Sequence, residues 1–194
     1  MDTWIEYVGK IADGLHRLVV TDRRGATLSA PEGFTRWVEL THATAERDGQ
    51  LFIIGNGGSA AMASHMAIDA CKNGHLRAMA LNDAAMITAT ANDVAYDKIF
   101  RLPLERLARK GDLLITISSS GNSPNVIQAL DGARAIGMNA VTLSAKDSDN
   151  QSRHHGDLNF YVPLARYGWA ESAHQIVLHQ WFDQYLDEHR GGAL

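Results

Sequence analysis

Residues 51–69 read LFIIGNGGSAAMASHMAID: four apolar residues, a glycine-rich turn, and a stretch of small and apolar residues that carries a histidine and an aspartate. That order is strand, tight turn, helix. Residues 113–125, LLITISSSGNSPN, repeat the plan with serines in place of the glycines. Further apolar strands are expected at roughly 77–81, 139–143 and 158–162. Helical stretches fall between them at roughly 59–72, 84–109 with a break near Asn92, 123–136 and 147–155, and a long last helix at roughly 168–189. Alternating strands and helices imply right-handed crossovers and a parallel sheet covered on both faces, an α/β three-layer sandwich. In open sheets of this kind ligands lie beyond the C-terminal strand ends, where both loops fall.

Ahead of this region, Trp4, Ile5, Val8, Ile11, Ala12, Leu15, Leu18 and Val19 recur at spacings of three and four. This predicts an amphipathic helix within residues 1–20, followed by a polar loop, TDRRGATLSAPEG, at 21–33. Its apolar face is expected to pack outside the sheet, against a partner subunit. The chain has 194 residues, 45% of them hydrophobic, enough for one compact domain spanning 1–194. Net charge is −4 and the longest basic run is the Arg23-Arg24 pair, which argues against nucleic acid as a partner. The apolar runs are too short to span a membrane and the N-terminus lacks signal-peptide character, so a soluble cytoplasmic protein is expected. The single cysteine, Cys71, excludes an internal disulfide and any paired-cysteine metal motif. A metal site here has to use histidine and carboxylate.

The turn Gly55-Asn56-Gly57-Gly58-Ser59-Ala60 fits a variant of the dinucleotide fingerprint, with Asp83 as the ribose partner. It fits a plain tight turn equally well, and no Walker lysine is present. The serine loop separates these readings. Ser118, Ser119, Ser120 and Ser123 offer hydroxyls, with Ser123 at an N-cap and Pro124 at the first helical position, so that hydroxyls and a positive helix end face one point. One or two serines would only cap a helix. Three and a fourth directly after a buried strand favour an anion such as a sugar phosphate.

His65 and Asp69 are spaced i, i+4, about 40° apart around a helix, so both can face one ion; a solvated pair has the same spacing. On the last helix Glu171 and His179 stand about 80° apart, with His174 about 60° to the other side of Glu171 as an outer group. The other six histidines lie on polar faces or in loops. Two histidines and two carboxylates suit zinc, with manganese, nickel or iron as alternatives. A metal beside a phosphate clamp suits an aldose–ketose isomerase, with carboxylate and imidazole moving protons through an enediol.

GNGGSAAMASH, ITATANDVAYDKIF, GDLLITISSSGNSPNV and ESAHQIVLH, in this order and spacing, resemble the SIS (sugar isomerase) domain family, most closely its phosphoheptose isomerase branch. The resemblance implies a five-stranded parallel sheet between helices, a homotetramer, zinc, and conversion of sedoheptulose 7-phosphate to D-glycero-D-manno-heptose 7-phosphate. It implies substrate contacts at Asn56, Gly57, Gly58, Ser59, Asn92, Asp93, Ser118, Ser119, Ser120 and Ser123. It places metal ligands at His65, Asp69, Glu171 and His179, with Asp69 and His179 as acid and base. Asp69 stands where the family usually has glutamate, and Glu171, an alternative base, where glutamine is usual. The competing expectations are a non-catalytic SIS module that binds a phosphosugar or a replication initiator, and a nucleotide-dependent oxidoreductase.

Overall fold

The computed structural model describes residues 2–192. Helix α1 (Trp4–His16) opens with a capping box in which Thr3 accepts from Glu6 N–H and the Glu6 carboxylate accepts from Thr3 N–H. Strands β1 (Val19–Asp22) and β2 (Thr27–Leu28) lead to α2 (Ala30–Glu46), then β3 (Leu51–Gly55) and α3 (Gly58–Lys72). There follow β4 (Ala78–Ala80), α4 (Ala84–Asp93), a single turn at Tyr96–Lys98, α5 (Arg101–Leu107) and β5 (Leu113–Ser118). The chain ends with α6 (Pro124–Ile136), β6 (Asn139–Ser144), a turn at Gln151–His154, β7 (Leu158–Tyr161) and α7 (Tyr167–His189).

One sheet runs β2-β1-β7-β6-β5-β3-β4. The five strands from β3 to β7 are mutually parallel, as the alternating pattern requires. Two more strands come from Val19 and Val20, expected at the end of the first helix, and from the segment expected to be a loop. Val19 to Asp22 pair antiparallel with Tyr161 to Leu158, and Val20 and Thr21 pair with Leu28 and Thr27. The expected loop therefore becomes a hairpin that extends the sheet from five strands to seven. Its last residues start α2, where Ser29 caps the helix by accepting from Glu32 N–H. The stretch 147–155, expected as a helix, forms only the turn Gln151–His154. Asp147 and Asn150 side chains bond local backbone at Asp149 N–H and the Asp147 carbonyl, the competition that keeps such residues out of helices.

Strand alternation sorts the core into two layers. Leu51, Ile53, Leu113, Ile115, Ile117, Val141 and Leu143 face α2, α3 and α7, where Trp37 and Trp181 stack with ring centroids 4.6 Å apart. Phe52, Ile54, Leu114 and Ala140 face α5 and α6. Because β3 and β5 pair from Leu51–Leu113 to Gly55–Ile117, their C-terminal ends are level. The glycine and serine loops accordingly leave the sheet side by side.

Candidate active site

Gly55 is needed because the chain turns back at once: a Cβ there would lie 2.6 Å from Ser59 Cβ. Gly57 has φ +55° and ψ −122°, a conformation open to glycine alone, and sits at the N-cap of α3 without a capping side chain. Gly58 begins the helix, and a Cβ there would lie 2.9 Å from Glu171 Oε1. The sequence thus brings the bare start of α3 against a carboxylate from α7. Ser59 is buried.

In the second loop Ser118 and Ser119 are buried, and the Ser118 and Ser123 hydroxyls lie 3.4 Å apart. Ser119 Oγ has no hydrogen-bond partner among the described residues, and Ser123, though at the N-cap of α6, makes no capping bond. Ser120 Oγ accepts from Asn122 N–H. The segment after β6 braces this loop: Ser152 donates to the Gly121 carbonyl from both its amide (2.9 Å) and its hydroxyl (3.0 Å), and Gln151 N–H donates to Asn122 Oδ1. Among the described residues, none of the four serine hydroxyls bonds to the helix they precede, whereas a structural cap would.

A clasp that sequence reasoning missed joins the two loops. Asn56 and Asn125 exchange reciprocal amide hydrogen bonds of 2.9 and 2.8 Å, and Asn125 is 2% exposed. The side chain of Asn56, expected at the substrate, is engaged in this pair. Asp83 caps α4 by accepting from Met86 N–H, which removes the reason to read it as a ribose partner. Asn92 and Asp93 lie at the exposed end of α4, where the Asn92 amide donates to Asp93 Oδ1 at 2.7 Å. The structure shows no bond from either to the serine loop.

Helices α3 and α7 line a cleft of about 700 Å³ with Gly58, Met62, Glu171, Gln175, His179 and Asp183. One donor atom from each of His65, Asp69 and His179 lies within 4.8 Å of the other two. His65 Nε2 is 3.4 Å from Asp69 Oδ2, and the two imidazole rings meet edge-on with centroids 5.4 Å apart. Two nitrogens and one oxygen at a solvent-accessible surface, with a position left for another ligand, fit a zinc-type divalent ion. Glu171, expected as a fourth ligand, is not in that donor set. It precedes His179 by eight residues, about 12 Å along the helix axis, and its carboxylate rests by Gly58.

His174, expected beside the ligands, instead faces the sheet. It is fully buried, and the backbone of Ser144 approaches the ring without reaching hydrogen-bond geometry, so both ring nitrogens are unpartnered among the described residues. Burial pushes its pKa down to about 4, against a smaller upward pull from Ser144.

Residues 20–145 match the SIS domain family model. The chain belongs to the SIS domain family. Within it, the relatives are phosphoheptose isomerases: that of Edwardsiella ictaluri is 34% identical over 145 residues, covering 71% of this chain and 72% of its own. That of Helicobacter pylori strain P12 is 33% identical over 157 residues, covering 78% and 81%. Among solved structures, phosphoheptose isomerase from Neisseria gonorrhoeae superposes with a TM-score of 0.74 at 34% identity, covering 79% of this chain and 86% of that one. The Francisella tularensis phosphoheptose isomerase gives 0.79 at 22% identity over 94% and 92%, a likeness of fold. This SIS protein is therefore a phosphosugar isomerase of the phosphoheptose isomerase branch.

Proposed function

We propose that this isomerase is metal-dependent and converts sedoheptulose 7-phosphate to D-glycero-D-manno-heptose 7-phosphate through an enediol. The observation that carries the reading is the convergence of His65, Asp69 and His179, the last of which lines a cleft that also reaches Gly58 and Glu171, beside the loop clasped to the serine cradle. The serine hydroxyls and the start of α6 hold the phosphate, and the glycine turn lets backbone approach the sugar. His65, Asp69 and His179 would hold zinc or another divalent ion, whose chemistry is to polarise the carbonyl and hydroxyl oxygens at C2 and C1.

A carboxylate removes a proton from C1 while the C2 carbonyl oxygen gains one, giving the enediol. Return of a proton to C2, with loss of the O1 proton, leaves the aldehyde. We assign these transfers to Asp69, His179 and Glu171. Glu171, outside the donor set and beside the start of α3, supplies a second carboxylate for them. Trp4, Ile5 and Val8, 75%, 77% and 43% exposed on α1, form the face we assign to contact with other copies in a homotetramer.

Incubation with sedoheptulose 7-phosphate in deuterated water, with and without chelator, tests the reading. Heptose 7-phosphate labelled at C2, lost on chelation and in Asp69→Ala and His179→Ala, is the expected result. Inertness towards a panel of ketose phosphates, by protein that elemental analysis shows to be loaded with metal, would refute it.

A further inference from the structure

The serine cradle contains no cationic side chain, although a sugar phosphate brings a charge of nearly two. Lys146 lies two residues beyond Ser144, which pairs in register with Ser118, and Ala145 N–H donates to the Ser119 carbonyl at 3.2 Å. The lysine is thus the next residue along from the backbone that touches the cradle. Its φ is +59°, in the left-handed region where a glycine meets the turn without strain. The backbone is nonetheless held there: Lys146 N–H donates to the Leu164 carbonyl at 3.1 Å, and Tyr161 Oη donates to the Lys146 carbonyl at 3.0 Å. A turn that needs no side chain carries one with a positive charge.

That charge has no carboxylate partner among the described residues. Lys146 Nζ rests 3.2 Å from the ring centroid of Tyr167, which is itself 58% exposed. An ammonium on an exposed phenol ring is held weakly and is available to an anion. Tyr167 and Glu171 are i, i+4 on α7, so the ammonium lies on the row of that helix that leads to Glu171 and Gly58.

We propose that Lys146 is the cationic contact of the bound sugar phosphate, parked on Tyr167 and transferred to the phosphate when the sugar enters. The proposal rests on the reading of the serine loop as a phosphate site. Calorimetric titration of the full-length protein with sedoheptulose 7-phosphate and, separately, inorganic phosphate tests both, using the wild type, Lys146→Met, Lys146→Arg, Lys146→Gly and Tyr167→Leu. Lys146→Met and Lys146→Gly are expected to bind both ligands roughly tenfold to a hundredfold more weakly, with the loss in turnover appearing mainly in KM. Lys146→Arg should retain most of the affinity. Lys146→Gly, freed of the left-handed strain, should fold at least as stably as Lys146→Met, so a binding loss in it is not a folding loss.

Tyr167→Leu separates this role from a structural one: release of the ammonium should leave phosphate affinity unchanged or tighter. If Tyr167→Leu loses affinity as Lys146→Met does, the pair merely fastens loop to helix and the proposal falls. It falls equally if Lys146→Met binds like the wild type. A wild type that binds neither ligand overturns the phosphosugar reading itself, a result distinct from either.

Discussion

Replacing His174 by leucine should stabilise the fold, and most at acid pH. A buried imidazole whose nitrogens make no well-formed hydrogen bond has lost its hydration with only the weak pull of the Ser144 backbone in return, a penalty of about 1–3 kcal/mol that a leucine of similar bulk avoids. The pH dependence follows from the proton. With the folded pKa near 4 and an unfolded value of 6.5, the unfolded chain binds the proton first, so stability falls as pH drops through this window and levels off below it. The full shift corresponds to about 3 kcal/mol, of which about 2 kcal/mol should be lost between neutrality and pH 5. Urea unfolding of chelator-treated wild type and His174→Leu at pH 7, 6 and 5, at equal protomer concentration, isolates the residue, because every other titrating group is common to both. The gap between the two proteins should widen by about 2 kcal/mol towards pH 5. Parallel profiles would show that His174 finds a partner or titrates normally, and the account of its burial would be wrong.

Asn125→Ala should cost about 1–3 kcal/mol by orphaning the Asn56 amide, and should weaken sugar-phosphate binding as the two loops part; a double-mutant cycle with Asn56→Ala, read by urea unfolding, should show strong coupling. Gly58→Ala should leave stability unchanged or up to about 1 kcal/mol higher, while the added methyl displaces the Glu171 carboxylate and lowers kcat; denaturation and steady-state kinetics on one preparation check the split. Gly57→Ala has open space around it but a forbidden backbone, so about 1–3 kcal/mol should be lost to strain alone, measured by thermal or urea unfolding. Trp4→Glu with Ile5→Glu should reduce the assembled mass in light scattering, with the circular dichroism of the protomer retained.

The features legible in the sequence were those written in local period. LFII before glycines and LLITI before serines mark parallel strands with loops at one end, because both the alternation and the breakers lie within a few residues; that the two strands are neighbours is a finding of the structure. The hairpin at 19–28 was not legible, since β2 is two residues long and β1 is stabilised by pairing with β7, more than a hundred residues away. For α2 a signal was present: Ser29 followed by Pro31 and Glu32 is a helix start, overlooked because the polar run before it read as a loop. The Asn56–Asn125 clasp joins residues 69 positions apart and leaves no periodic trace, so only the level strand ends reveal it.

The candidate metal site shows the same division in a sharper form. For His65 and Asp69, one turn apart, an angle around the helix nearly fixes relative position, and the structure brings their donor atoms together. For Glu171 and His179 an angle omits the axial rise, and over eight residues that rise of about 12 Å matters as much as the face. His179 turns towards α3 at His65, whereas Glu171 meets α3 at its first turn, by Gly58. Two parts of the same helix pair are thus kept apart: the later turns gather three donor atoms, and the first turn of α3 sets Gly58 against the Glu171 carboxylate. A carboxylate outside the donor set keeps its oxygens free to take up a proton, whereas one bound to a metal shares them. Along α3 the Glu171 carboxylate meets Gly58, eleven residues and about 16 Å before Asp69, so the two carboxylates do not share one ion.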